Sequence, residues 1–152
     1  MQPIASFTID HTKLTEGLYL SRVDKTVRTY DLRTRRPNGG SYMDAETMHS
    51  VEHLFATIIR NGTYADRVVY FGPMGCQTGF YLLLEGVDDQ TAAALVVQTF
   101  AGCAAYEGDM PGNSAQECGN YRTLDMAKAK AECRRYYKCI QHLEDVMPYP
   151  GI

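Results

Sequence analysis

Two histidines and a glutamate stand close together in His49-Ser50-Val51-Glu52-His53. At about 100° per residue, a helix gathers these three side chains into one sector. The apolar residues Met48, Val51, Leu54, Phe55, Ile58 and Ile59 take the opposite arc. Such a helix packs by one side and presents its imidazoles and carboxylate on another. Histidines at i and i+4 can converge on one metal ion, and a glutamate beside them can move protons without ligating it. A solvated helix face carrying two histidines by chance has the same spacing, so the motif alone leaves both readings open.

A third donor is available in Cys118, which follows Glu117 and precedes Gly119 in a loop rich in glycine. A lone loop cysteine is more often simply a small residue. As a thiolate joining two histidines, however, it would leave a tetrahedral ion one open position, the mark of a catalytic site. Cys76 lies in Gly72-Pro73-Met74-Gly75-Cys76-Gln77-Thr78-Gly79, where glycines permit a tight bend and close approach of a ligand. A small residue buried at a turn is the plain alternative; beside a divalent cation, the thiol becomes a proton carrier. Cys103, Cys133 and Cys139 fall among Ala, Tyr and Ile on helical stretches and read as packing.

These groups need a scaffold, and its elements are legible from patterning. Short alternations between Gly17 and Arg33 predict a strand pair. Pro37-Asn38-Gly39-Gly40 is a turn, after which Asp44 caps a helix running to about Arg60 and stopped by Asn61-Gly62. Asp66 to Phe71 and Gly79 to Leu84 predict two strands flanking the Cys76 turn. A second helix is expected from the Asp88 cap to about Tyr106, and a third from about Leu124 to Asp145. Strand pairs joined by tight turns, interleaved with long helices, argue an α+β fold: an antiparallel sheet with helices on one face.

The 152 residues suit one domain with a core of its own, taken as 1–152. A net charge of −3, without a basic stripe interleaved with aromatics, disfavours nucleic acid. No apolar run approaches a membrane span, and the N-terminus lacks the character of a secretion signal. Five cysteines, an odd number at irregular spacing, then read as reduced thiols in a cytoplasmic protein.

Taken in order, Ser6-Phe7-Thr8-Ile9-Asp10-His11, Tyr30-Asp31-Leu32-Arg33, Pro37-Asn38, His49 to His53, Pro73 to Gly79 and Cys118-Gly119 resemble the S-ribosylhomocysteine lyase (LuxS) family over almost the whole chain. The resemblance implies a homodimer with two active sites at the subunit interface, each subunit a two-layer sandwich of antiparallel sheet and helices. It implies one divalent metal per subunit on His49, His53 and Cys118, with Fe(II) the usual ion and Zn or Co able to replace it. By position, Glu52 and Cys76 match the paired acid/base groups, Ser6, His11 and Arg33 the residues around the ribose, and Arg60 a basic residue near the homocysteine end. One departure stands out: many family members carry Asp-Ile-Ser where this chain has Tyr70-Phe71-Gly72.

The implied reaction cleaves S-ribosylhomocysteine to homocysteine and 4,5-dihydroxy-2,3-pentanedione, the precursor of autoinducer-2. A rival is a small zinc metallopeptidase, since H-x-x-E-H also marks reversed zincins. Its third ligand would be a downstream glutamate such as Glu107 or Glu117, leaving Cys76 and Cys118 idle.

Overall fold

The computed structural model describes residues 1–151. Four strands, β1 (Gly17–Asp24), β2 (Val27–Arg33), β3 (Val68–Pro73) and β4 (Gly79–Glu85), form an antiparallel sheet of order β1-β2-β4-β3. Three helices accompany it: α1 (Ala45–Arg60), α2 (Asp89–Ala105) and α3 (Met126–Ile140). The α+β class and the antiparallel sheet agree with the patterning. Among the described residues, no helix is long and apolar enough to cross a membrane.

Each helix starts where a side chain can satisfy an orphan amide. Asp44 accepts from the Thr47 amide, Asp88 from Thr91, and Asp125 from Lys128. The third helix begins later and ends earlier than its periodicity predicts. Leu124 and Asp125 are extended, and beyond Ile140 the chain turns, the Leu143 amide bonding back to the Ile140 carbonyl. That turn sends the tail toward the sheet, where the Met147 amide bonds the Leu18 carbonyl at 2.7 Å. The strand expected from Asp66 instead starts at Val68, because Ala65–Arg67 makes a 3₁₀ turn.

Alternation along the strands sorts the sheet's side chains. Leu18, Tyr30, Leu32, Phe80, Leu82 and Leu84 join Val51, Leu54 and Phe55 of α1, Val96 and Phe100 of α2, and Tyr136 and Ile140 of α3 in the main core. Aromatic rings run through it: Phe71 stacks on Phe55 at 4.1 Å between centroids, and Phe100 meets Tyr136 edge-on at 4.8 Å. The α1 face opposite the histidines is therefore anchored in the core. The intervening strand residues belong elsewhere: Tyr19 joins Leu14 and Tyr149 in a second, smaller cluster.

The register sets two rows that matter for the site. Arg33 lies between Gly17 of β1 and Gly79 of β4, and Asp31 lies between Tyr19 and Tyr81. Gly72 follows Tyr81 in that second row, and a methyl built on it would collide with the Tyr70 hydroxyl. The glycine thus makes room for a half-exposed tyrosine ring.

Candidate metal centre and the Cys76 cavity

Helix α1 delivers His49 and His53 one turn apart, with ring centroids 4.6 Å from each other. The loop before α3 brings Cys118 to them, and ligand atoms of the three residues all lie within 4.8 Å of one another. Two ties hold that loop on α1. The Asp125 amide donates to Ser50 Oγ at 2.8 Å, and His49 Nδ1 lies 2.7 Å from Thr123 Oγ1. Ser50, in the middle of the histidine motif, is fully buried and serves this contact.

The hydrogen bonds define which ring nitrogens are free. Thr123 Oγ1 gives its only proton to the Asn120 carbonyl at 3.0 Å, so toward His49 it accepts, and Nδ1 carries the hydrogen. His53 Nδ1 faces the Pro111 carbonyl at 2.9 Å, which can only accept. Both Nε2 lone pairs are thereby left for a ligand, the outer-shell arrangement that orients metal-bound histidines. Cys118 Sγ is 3.3 Å from His49 Nε2, about the edge of a tetrahedron with metal–ligand distances near 2.0–2.3 Å. His49 is held below its ordinary imidazole value by burial first and the neighbouring His53 second, against an opposing pull from Glu52. A neutral ring is the form that ligates. Two imidazoles and a sulfur make a donor set that fits a divalent transition metal.

Gly112 also shapes this centre. It has φ +70°, and a Cβ there would stand 2.8 Å from His53 Nδ1. Glycine is required for both the turn and the approach. Of the glutamates in the peptidase alternative, Glu107 and Glu117 are exposed, and Glu117 accepts from Ser114 Oγ at 2.5 Å. The third donor beside the histidines is the sulfur.

Cys76 occupies the turn joining β3 and β4. Gln77 adopts φ 66°, its amide bonds the Met74 carbonyl, and the chain doubles back so that Thr78 Oγ1 lies 3.0 Å from Cys76 Sγ. A cavity of about 350 Å³ opens there, lined by Ser6, Phe7, His11, Arg33, Met74, Cys76 and Tyr81 among others. Ser6, His11 and Arg33, which the resemblance matches to residues around the ribose, thus line one cavity with Cys76. The His11 ring is oriented by its own segment, Nδ1 lying 2.9 Å from the Ile9 carbonyl.

Arg33 enters the cavity wall from below, its side chain only 2% exposed. Nε and Nη2 grip both oxygens of fully buried Asp31 at 3.1 and 2.7 Å, while Nη1 donates to Thr78 Oγ1 at 2.8 Å and lies 3.8 Å from Cys76 Sγ. Burial alone would lower the guanidinium's proton affinity, but the Asp31 carboxylate outweighs it and the net shift is upward. Arg60 lies apart from this assembly. Exposed at the end of α1, it donates to the Val68 carbonyl at 3.3 Å and does not line the Cys76 cavity. Asp31 and Thr78 were within reach of the sequence, in the Tyr-Asp-Leu-Arg and Cys-Gln-Thr-Gly stretches. Gly112 and Thr123 carried no signal before folding.

Comparison with known proteins covers the same stretch of the chain. The sequence profile of S-ribosylhomocysteinase (LuxS) matches residues 4–146, which include both constellations. The chain is 49% identical over 143 residues to S-ribosylhomocysteine lyase of Desulfotalea psychrophila, covering 90% of each protein. It is 47% identical to the lyase of Clostridium beijerinckii over 86% of each, and 40% identical to that of Clostridium acetobutylicum over 99% of each. With the motifs, the donor set and near full-length identity in agreement, the chain belongs to the S-ribosylhomocysteinase (LuxS) family.

Proposed function

We propose that the protein is a carbon–sulfur lyase that cleaves S-ribosylhomocysteine to homocysteine and 4,5-dihydroxy-2,3-pentanedione, acting as one domain per subunit of a cytoplasmic homodimer. The observation that carries this reading is the convergence of His49, His53 and Cys118 within 4.8 Å in a chain of this family. In our reading they hold one divalent ion per subunit, Fe(II) in preference to Zn or Co, and when bound it supplies Lewis acidity toward the sugar's carbonyl.

The remaining work is proton transfer, and the chain's own groups suit it. The thioether sulfur is on C5, so it can leave only once the carbonyl has moved from C1 through C2 to C3. Protons must depart in turn from C2, C3 and C4, with the first two shifts returning protons to C1 and C2. Cys76 and Glu52 are the pair that takes and returns them. Cys76 opens onto the cavity, and Glu52 sits half-buried beside the histidines on α1, its charge felt by His49. Ser6, His11 and Arg33 hold ribose hydroxyls, and Arg33 also backs the thiol. Loss of the C4 proton then expels homocysteine from C5. Arg60 is assigned to the homocysteine end on the family match alone.

The separation of the two groups supports the homodimer reading. None of the three metal donors lines the cavity beside Cys76, whereas Phe7 in its wall is 75% exposed and Ile4, on the same N-terminal arm, is 59% exposed. A second copy covering this apolar edge brings its own donors toward the cavity. The shared core of sheet and helices supports a two-layer sandwich with the helices on one face. Production of the autoinducer-2 precursor and homocysteine recycling follow from the products.

The test is direct. Metal-loaded protein mixed with S-ribosylhomocysteine should release one free thiol per substrate, read with a thiol reagent. Full metal occupancy without thiol release would remove the assignment.

A further inference from the structure

Beyond the family's motifs, the C-terminal tail makes a contact that reaches the Cys76 cavity in two steps. Met147 forms a parallel bridge with Tyr19 of β1, and its amide bonds the Leu18 carbonyl at 2.7 Å. Two residues on, the Tyr149 ring stacks on Tyr19 with centroids 5.2 Å apart and planes 15° from parallel. Its hydroxyl then donates to Asp31 Oδ2 at 2.7 Å. That oxygen also takes Arg33 Nη2 at 2.7 Å, so Tyr149 and Arg33 share one buried carboxylate oxygen.

The chemistry of that carboxylate gives the contact its meaning. Asp31 is fully buried, and an ionised carboxylate has about four acceptor sites to satisfy. Two go to the Arg33 fork, and the phenol supplies a third donor. Burial, reinforced by the Asp31 charge, drives the Tyr149 phenol far above its ordinary value, so it remains a donor throughout the working range. With Asp31 held from both sides, the guanidinium cannot swing, and its Nη1 stays on Thr78 Oγ1 and beneath Cys76 Sγ. Around that thiol the charged and titratable groups are Arg33, with Asp31 behind it, and His11 and Tyr81 in the cavity wall.

The tail also touches the arm that carries the other cavity residues. Tyr149 packs with Leu14 and Tyr19, and Ile9 and Met147 close around that cluster. The carbonyl of Ile9 is the one that orients His11. One strap therefore bears on both walls of the cavity.

We propose that Tyr149 is a positioning residue for Cys76, acting through Asp31 and Arg33, while its ring fixes the arm bearing Ser6 and His11. The proposal rests on the reading of Cys76 as the lyase's proton carrier, but its test does not depend on turnover.

The full-length protein and its Tyr149→Phe and Tyr149→Ala variants are alkylated with anionic iodoacetate and with neutral iodoacetamide. Modification of the Cys76 peptide is followed by mass spectrometry, and the ratio of the two rates is normalised to free cysteine. A fixed guanidinium favours the anion. Tyr149→Phe keeps the stack and loses the hydrogen bond, so the ratio should fall about threefold. It should lower kcat while leaving KM for S-ribosylhomocysteine unchanged. Tyr149→Ala also frees the arm and should raise KM as well, by about fivefold. Wild-type ratios and kinetics in both variants, with only the melting temperature lowered, would reduce Tyr149 to packing and overturn the proposal. If the alanine variant does not fold, the phenylalanine variant decides. Absence of thiol release by the wild type would defeat the lyase reading instead, and the alkylation ratio would still decide the positioning.

Discussion

His49 Nε2 and Cys118 Sγ lie 3.3 Å apart although 69 residues separate them in the chain. Neither residue belongs to the hydrophobic core, so packing does not demand their meeting. Removing the sulfur should therefore cost metal rather than fold. Cys118→Ala is expected to lose its ion on dialysis, by elemental analysis, with the apo protein's melting temperature within a few degrees of wild type. Chelation of the wild type should abolish thiol release, and Fe(II) added without oxygen should restore it. A Cys118→Ala protein retaining one ion per subunit would contradict the donor assignment.

The outer contacts should matter to a measurable degree. Thr123→Val removes the acceptor on His49 Nδ1. Metal affinity should fall about 10–100-fold, measured by competition with a chromophoric chelator. Gly112→Ala forces a side chain into a left-handed backbone conformation, costing about 1–2 kcal/mol, and pushes on His53. Its affinity for metal should drop alongside its stability.

Replacing Cys76 separates chemistry from metal binding. Cys76→Ala leaves all three donors in place, and the residue is exposed at a turn. Metal content should stay at the wild-type level while kcat falls by about 10²–10⁴-fold or more. A peptidase built on the same histidines would survive the change.

Acid sensitivity should trace in part to the cap of α1. The Asp44 carboxyl is drawn from 3.8 to about 2, chiefly by its hydrogen bond with Lys128 and then by those with Thr47. Because the folded value is depressed, its contribution is complete above the ordinary value and disappears as pH falls through about 2. Asn also caps well, so Asp44→Asn isolates the charge. The variant should melt below wild type at neutral pH, and the two curves should converge between pH 4 and 2 by circular dichroism.

What could be read beforehand was whatever depends on neighbours in sequence. The Asp44 cap, the Asn61-Gly62 stop and the separation of His49, Glu52 and His53 from the apolar arc are local, and α1 follows them closely. The apolar spacing of α3 continues to Leu143, whereas the backbone turns after Ile140 to deliver the tail. The placement of Arg33 beneath Cys76 depends on the register of β2 against β4, and one residue of slip would put it on the other face. The resemblance matches Arg60 to the homocysteine end, and its guanidinium donates to the Val68 carbonyl at the start of β3, a contact that no local pattern announces. Nothing local identified Pro111 or Thr123 as partners of the imidazoles, since those bonds span 58 and 74 residues.

Tyr70 lying across Gly72 makes positions 70 and 72 a single unit of heritable change. A serine at 72 installed first would evict the ring into water, while replacing the ring first leaves only an open notch. Any lineage changing both positions therefore has a favoured order of steps, with position 70 replaced before position 72.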